Sequence, residues 1–109
     1  MSLPVVIAEC AERDMASQYG WYLENADSVV AERYLHAIDQ SIQQLAVDPA
    51  LGVRRHFQAD ELRGIRSLQA PRPFDKHLIF YRYDARLSIE RVMHGARDLP
   101  IRLIEVPEN

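Results

Sequence analysis

The order of apolar and polar positions divides the chain into one short strand, two helices and three further strands. Leu3 to Ala8 (LPVVIA) is a β-branched apolar run with Pro4 near its start and charge from Glu9 onward, and it predicts a buried strand. From Ala11 the period changes. Met15, Tyr19 and Tyr22 stand at i, i+4 and i+7 on one helical face, leaving Glu12, Arg13, Asp14 and Gln18 for the wet side. Gly20 inside this run costs about 1 kcal/mol relative to alanine and blurs its boundaries. Asn25-Ala26-Asp27-Ser28 breaks the pattern and offers N-cap side chains to a second helix. There Val30 or Ala31, Tyr34, Leu35, Ile38, Ile42 and Leu45 form one apolar stripe, which Pro49 stops before Gly52 supplies a loop. A helix over 28–47 spans about 30 Å. So short a link makes the two helices an antiparallel hairpin.

The second half reads as β. Leu62 to Leu68 (LRGIRSL) predicts a strand, and Ala70-Pro71-Arg72-Pro73 a rigid connection. His77 to Tyr83 (HLIFYRY) is almost continuously apolar and aromatic, as a central strand buried on both faces should be. Tyr83-Asp84-Ala85-Arg86 is a tight turn, Leu87 to His94 (LSIERVMH) the next strand, and Gly95 its end. Short connections imply an antiparallel meander. The order β-α-α-β-β-β places a helical hairpin on one face of a mainly antiparallel, curled sheet, in the α+β class.

The 109 residues, 48% hydrophobic and 27% charged, are one domain's worth of ordinary globular chain, residues 1–109. That excludes a disordered tail protein and an active site between two domains. No apolar run approaches a membrane span, and Met1 to Cys10 has no basic region of the secretory kind. A single cysteine, Cys10, makes no internal disulfide, so the expected location is the reducing cytoplasm.

Charge is uneven along the chain. Residues 1–50 carry two basic groups against eight acids, a net of −6; residues 51–109 carry eleven against eight, a net of +3. The sum, −3, argues against a whole-surface nucleic-acid binder. Twelve of the thirteen basic residues are arginine and only Lys76 is lysine, which favours fixed bidentate contacts, although codon bias gives the same ratio.

Isolated glycines exclude a dinucleotide fingerprint or a phosphate loop. His36, His56, His77 and His94 fall on different elements at no ligand-like spacing, so no metal or other cofactor is expected. Cys10 has acidic neighbours, Glu9 and Glu12, and reads as a small hydrophobe rather than a nucleophile. What remains is a set of basic groups on the sheet: Arg63, Arg66, Arg82, Arg91 and His94, then Arg97 after Gly95. Two readings stand side by side. They form a basic floor for phosphate or an acidic segment, or they are solvated arginines paired with Asp75, Asp84, Glu90 and Asp98.

Pro49-Ala50-Leu51-Gly52, LRGIRSL, PFDKHLIFYR (73–82) and RVMHGARDLP (91–100), together with Asp14-Met15 on the first helix, resemble the ParE group of the RelE/ParE toxin superfamily over nearly the whole chain. The resemblance implies the toxin of a type II toxin–antitoxin pair, often called a plasmid stabilisation system, with the fold derived above. It also implies a partner, a ParD-like antitoxin. Such an antitoxin has a ribbon-helix-helix DNA-binding dimer and an acidic flexible tail, so operator DNA is reached only through it. Trp21, Tyr22 and Phe80 are candidate apolar anchors for that tail.

RelE-like relatives are ribosome-dependent ribonucleases, whereas ParE-like ones poison DNA gyrase by binding. Arg97 matches an arginine of the ribonuclease site, but the tyrosine position is Leu103 and His77 stands where another arginine is kept. Without that set, RNA cleavage lacks its acid–base and charge-stabilising groups. The expectation is therefore a gyrase-binding toxin that is not an enzyme. The alternatives are a ribonuclease, or a non-toxic antitoxin-binding homologue. Leu99 to Val106 holds five apolar residues, which either pack over the sheet or join the surface beside Arg97.

Overall fold

A computed structural model describes residues 1–95. Its order is β1 (Val5–Ile7), α1 (Glu9–Asn25), α2 (Ser28–Val47), β2 (Val53–Arg54), a 3₁₀ turn (Asp60–Leu62), β3 (Arg66–Gln69), β4 (His77–Tyr83) and β5 (Leu87–His94). The five strands form one sheet in the order β1-β5-β4-β3-β2. β1 runs parallel to β5, and all other pairs are antiparallel. Among the described residues no helix is long and apolar enough to cross a membrane.

The α+β expectation holds, with local corrections. β1 is an edge strand, and Val5 and Val6 are exposed rather than buried. A β-branched run looks the same in sequence whether one neighbour or two will flank it. Helix α1 starts at Glu9 and runs through Gly20 unbroken. Helix α2 starts where its cap predicts, since the Asp27 carboxylate accepts from the Val30 N–H at 2.9 Å. Leu35 faces solvent instead of the core. The buried stripe includes the small residues Ala31, Ala37, Ser41 and Ala46, which let the helix lie close to its neighbours.

The larger correction concerns 62–68. Only Arg66–Gln69 is strand; Leu62 closes the 3₁₀ turn and Gly64 reverses the chain at φ +80°, a left-handed value that favours glycine. β2 and β3 are thus joined by a loop whose neck is closed by the Arg55 N–H on the Ile65 carbonyl, 3.0 Å. This loop explains why β4 is apolar on both faces. One face packs under the helices, with Ile79 and Tyr81 joining Leu87, Ile89, Val92, Tyr34, Ile38, Ile42 and Leu45. On the other face Phe80 and Met93 pack with Leu62 and Ile65, supported by Phe57, Ala59 and Leu78. The helices cover one side of the sheet; the loop covers much of the other.

Gly52 is where the chain must pass closest to a side chain. An added Cβ there would lie 2.5 Å from Tyr81 Oη and 2.8 Å from the Ser67 carbonyl. The same Oη accepts from the Gly52 N–H (2.8 Å) and donates to the Pro49 carbonyl (2.7 Å), tying the exit of α2 to the sheet. Burial raises the Tyr81 pKa above the ordinary phenol value, so the hydroxyl keeps its proton.

Candidate functional site

The sequence-selected basic residues do not form one floor. Arg66 lies opposite Tyr81 in the register and so faces the helical side, whereas Arg82, one residue on, faces the loop side. Arg66 donates to the carbonyls of Gly52 (3.0 Å) and Ala50 (3.4 Å), with its guanidinium 5.7 Å over the Tyr83 ring. Arg82 donates to the Glu61 carbonyl and sits 4.0 Å from the Glu90 carboxylate, the pairing expected of a solvated arginine. Arg63 lies on the loop, not a strand, and pairs with Asp60 at 2.9 Å in full solvent. Arg97 and the segment 99–106 lie outside the described residues.

Arg91 is the clearest departure. Its side chain is 8% exposed, and it grips Asp14 through Nε (2.7 Å) and Nη2 (2.9 Å). It is held inside the fold rather than offered to a partner. Phe80 is likewise withdrawn: it is fully buried under the loop, so it cannot serve as a surface anchor.

At the end of the sheet near Gly95 an aromatic cluster gathers. Tyr22 from α1, Tyr34 from α2, Phe74 from the β3–β4 connection and His77 from β4 have ring centroids 4.8 to 6.3 Å apart. Tyr22 Oη and His77 Nε2 share a hydrogen bond of 2.9 Å. His77 is buried, and His94, its register partner, stands edge-on to it at 4.8 Å. Burial, and then the neighbouring His94, lower the His77 pKa to about 4, so the imidazole is neutral at physiological pH. Burial raises the Tyr22 pKa, and burial followed by the Asp14 charge and Tyr22 raises that of Tyr34, so both phenols stay protonated. Among the described residues Tyr34 Oη is buried without a hydrogen-bond partner.

The exposed part of this end is Trp21, 54% exposed and edge-on to Tyr22 at 5.4 Å, together with His94, which is exposed beside His77. Trp21 thus presents a large aromatic surface backed by a packed ring. Among the described residues no three His, Cys, Asp or Glu side chains gather as a metal site. Cys10 is a free, half-buried thiol.

Sequence reasoning missed the clamp between Asp14 and Arg91. It also missed the loop that holds Arg54, Arg55, His56 and Arg63 together. Only the density of arginine in VRRHF and LRGIR pointed there.

Comparison with known proteins agrees with this architecture. No curated protein sequence matches the chain significantly. A solved structure, the chromosomal ParDE TA system from P. aeruginosa, is similar at a TM-score of 0.71 and 17% identity. The alignment covers 87% of this chain and 98% of that one. At that identity the likeness speaks for the fold. Residues 5–99 match the family described as ParE toxin of type II toxin-antitoxin system, parDE. The match spans nearly all of the chain, which therefore belongs to the ParE toxin family of type II toxin–antitoxin systems.

Proposed function

We propose that this toxin arrests growth by binding DNA gyrase, in the cytoplasm, and that a ParD-like antitoxin made beside it holds it inactive. The observation that carries this reading over RNA cleavage is His77. Where the ribonuclease relatives keep an arginine, this chain has a buried imidazole, bonded to Tyr22 and neutral at physiological pH. A neutral, water-excluded group offers no charge to a phosphorane-like transition state. Inhibition by binding requires no catalytic set.

The structural neighbour is part of a ParDE system, which supports an antitoxin partner here. Its acidic tail would use Trp21 and Tyr22 as anchors and the solvent-facing arginines as charge partners. The test is direct. Purified protein should inhibit supercoiling by gyrase and accumulate cleaved-DNA complexes, without cutting mRNA on translating ribosomes. Ribosome-dependent cleavage with supercoiling untouched would place the chain among the ribonucleases. Neither activity, with tight antitoxin binding, would make it a non-toxic binding module.

A further inference from the structure

The two edges of the sheet are built differently. β2 is two residues long, carries Arg54 and is followed by Arg55, so length and charge both blunt its edge. β1 has neither guard. No charged residue stands from Leu3 to Ala8, and among the described residues no strand flanks the side of β1 away from β5. The ladder to β5 decides which main-chain groups are left over. The Leu87 N–H donates to the Pro4 carbonyl and the Ala8 N–H to the Ile89 carbonyl, so residues 4, 6 and 8 turn their polar groups inward. Val5 and Ile7 therefore turn theirs outward, and among the described residues no backbone group meets them there. The Leu3 N–H, before the strand, is already taken by the Ala46 carbonyl at 2.8 Å. Val5 and Val6 also expose their side chains.

We infer that β1 pairs with β1 of a second copy of this chain, antiparallel and centred on Val6. That register sets Val5 of each copy opposite Ile7 of the other. Both are hydrogen-bonded pairs that exchange two bonds, so the pairing satisfies every outward group of the two strands. Val6 then meets Val6 at the non-hydrogen-bonded position between them, where side chains stand closest. A strand whose free groups flank a central residue is complementary to itself, as a two-fold interface requires. No like charges are opposed, because the strand has none and Glu9 falls opposite Leu3 of the second copy. An acidic segment fits this edge less well: Glu9 and Glu12 stand in the first turn of α1, directly after the strand, and the strand offers no cation. The dyad of such a pair is perpendicular to the sheet, so both helical hairpins, each with its Trp21, lie on one side of a continuous sheet. A single short strand pair is a small interface, which makes the dimer concentration-dependent. The inference stands on the sheet edge alone and does not depend on gyrase being the target.

The test is analytical ultracentrifugation of the full chain over a wide concentration range, with thermal melts of each variant. The wild-type chain should pass from monomer to dimer. Val6→Lys, which opposes two like charges at the dyad, should keep it monomeric across that range. Val53→Lys, on the opposite edge, should leave the dimer unchanged. A second measurement reads the register and holds even if Val6→Lys misfolds. Directly opposed residues at a non-hydrogen-bonded position have Cα atoms about 4.5 Å apart, within disulfide reach. Val6→Cys in a Cys10→Ser background should therefore give a covalent dimer under mild oxidation. Val5→Cys, which faces Ile7 rather than its own copy, and Val53→Cys should not. A chain that stays monomeric and does not cross-link through position 6 would overturn the inference. So would a dimer that survives Val6→Lys, or one that cross-links equally through position 53, since either places the interface elsewhere. Hydrogen exchange covers the remaining occupant: Val5 and Ile7 amides protected only when antitoxin is added to a monomeric chain would give the edge to the antitoxin and overturn it as well.

Discussion

Asp14 completes an edge that the sheet leaves open. β1 stops at Ile7, so β5 loses that neighbour after Ile89, and the Val92 N–H instead donates to Asp14 Oδ2 at 3.0 Å. The same carboxylate holds Arg91 by two bonds, with side chains 11% and 8% exposed. One acid on α1 thus replaces a strand partner and neutralises a buried guanidinium.

Removing either partner strands the other. Asp14→Ala and Arg91→Ala should each destabilise the fold by about 3–5 kcal/mol, the range for breaking a buried pair. Asp14→Asn, which keeps one acceptor, should cost less. Urea denaturation of the free toxin measures this, and losses below about 1 kcal/mol would show that water replaces the clamp.

Acid should weaken the fold through His77. Its folded pKa, about 4, lies below the unfolded value of 6.5, so the unfolded chain binds more protons between those limits. Stability contributed by the neutral imidazole is full above pH 6.5 and falls as pH drops toward 4. Between pH 7 and pH 5 the loss should be about 2 kcal/mol. The titratable groups packed on it are Tyr22, Tyr34 and His94, and the phenols stay protonated throughout this window. His77→Leu should flatten the slope; an unchanged slope would assign it to other groups.

Gly52 should tolerate no side chain. Gly52→Ala drives a methyl into the Tyr81 hydroxyl and the Ser67 carbonyl, and should cost about 1–3 kcal/mol. Tyr81→Phe leaves the Pro49 carbonyl and the Gly52 N–H without their partner, with a loss of similar size. Thermal melts of the two single variants and the pair check this, and the pair should lose less than the sum because both act on one contact.

Trp21→Ala should leave the melting temperature nearly unchanged, since the ring is more than half exposed. Antitoxin affinity should fall tenfold or more if Trp21 is an anchor. A thermal melt gives the first value and calorimetric titration with the product of the adjacent reading frame the second, and unaltered affinity removes Trp21 from the interface.

The elements legible in the sequence are those with local signals. Asp27 caps α2 through its own side chain, and the run Leu87 to His94 coincides with the bounds of β5. The loop over the sheet was not legible. LRGIRSL has the composition of a strand, and only the left-handed backbone at Gly64 shows that its first half turns away. The Asp14–Arg91 contact joins residues 77 positions apart, which no periodicity reports. Phe80 looked available for the same reason: an apolar strand does not say what will cover its second face.

The pairing of β1 with β5 has a consequence for how the toxin comes into being. Among the described residues the first strand of the chain finds its strand partner in Leu87–Ile89, after both helices and three other strands have been synthesised. Contacts of such long sequence separation form late and slowly, because the intervening chain must first be closed into a loop. A nascent or truncated product that stops short of Leu87 has neither the partner of its first strand nor the residue that neutralises Asp14. Pairing of the first strand is therefore set by synthesis through β5 rather than by the early segments of the chain.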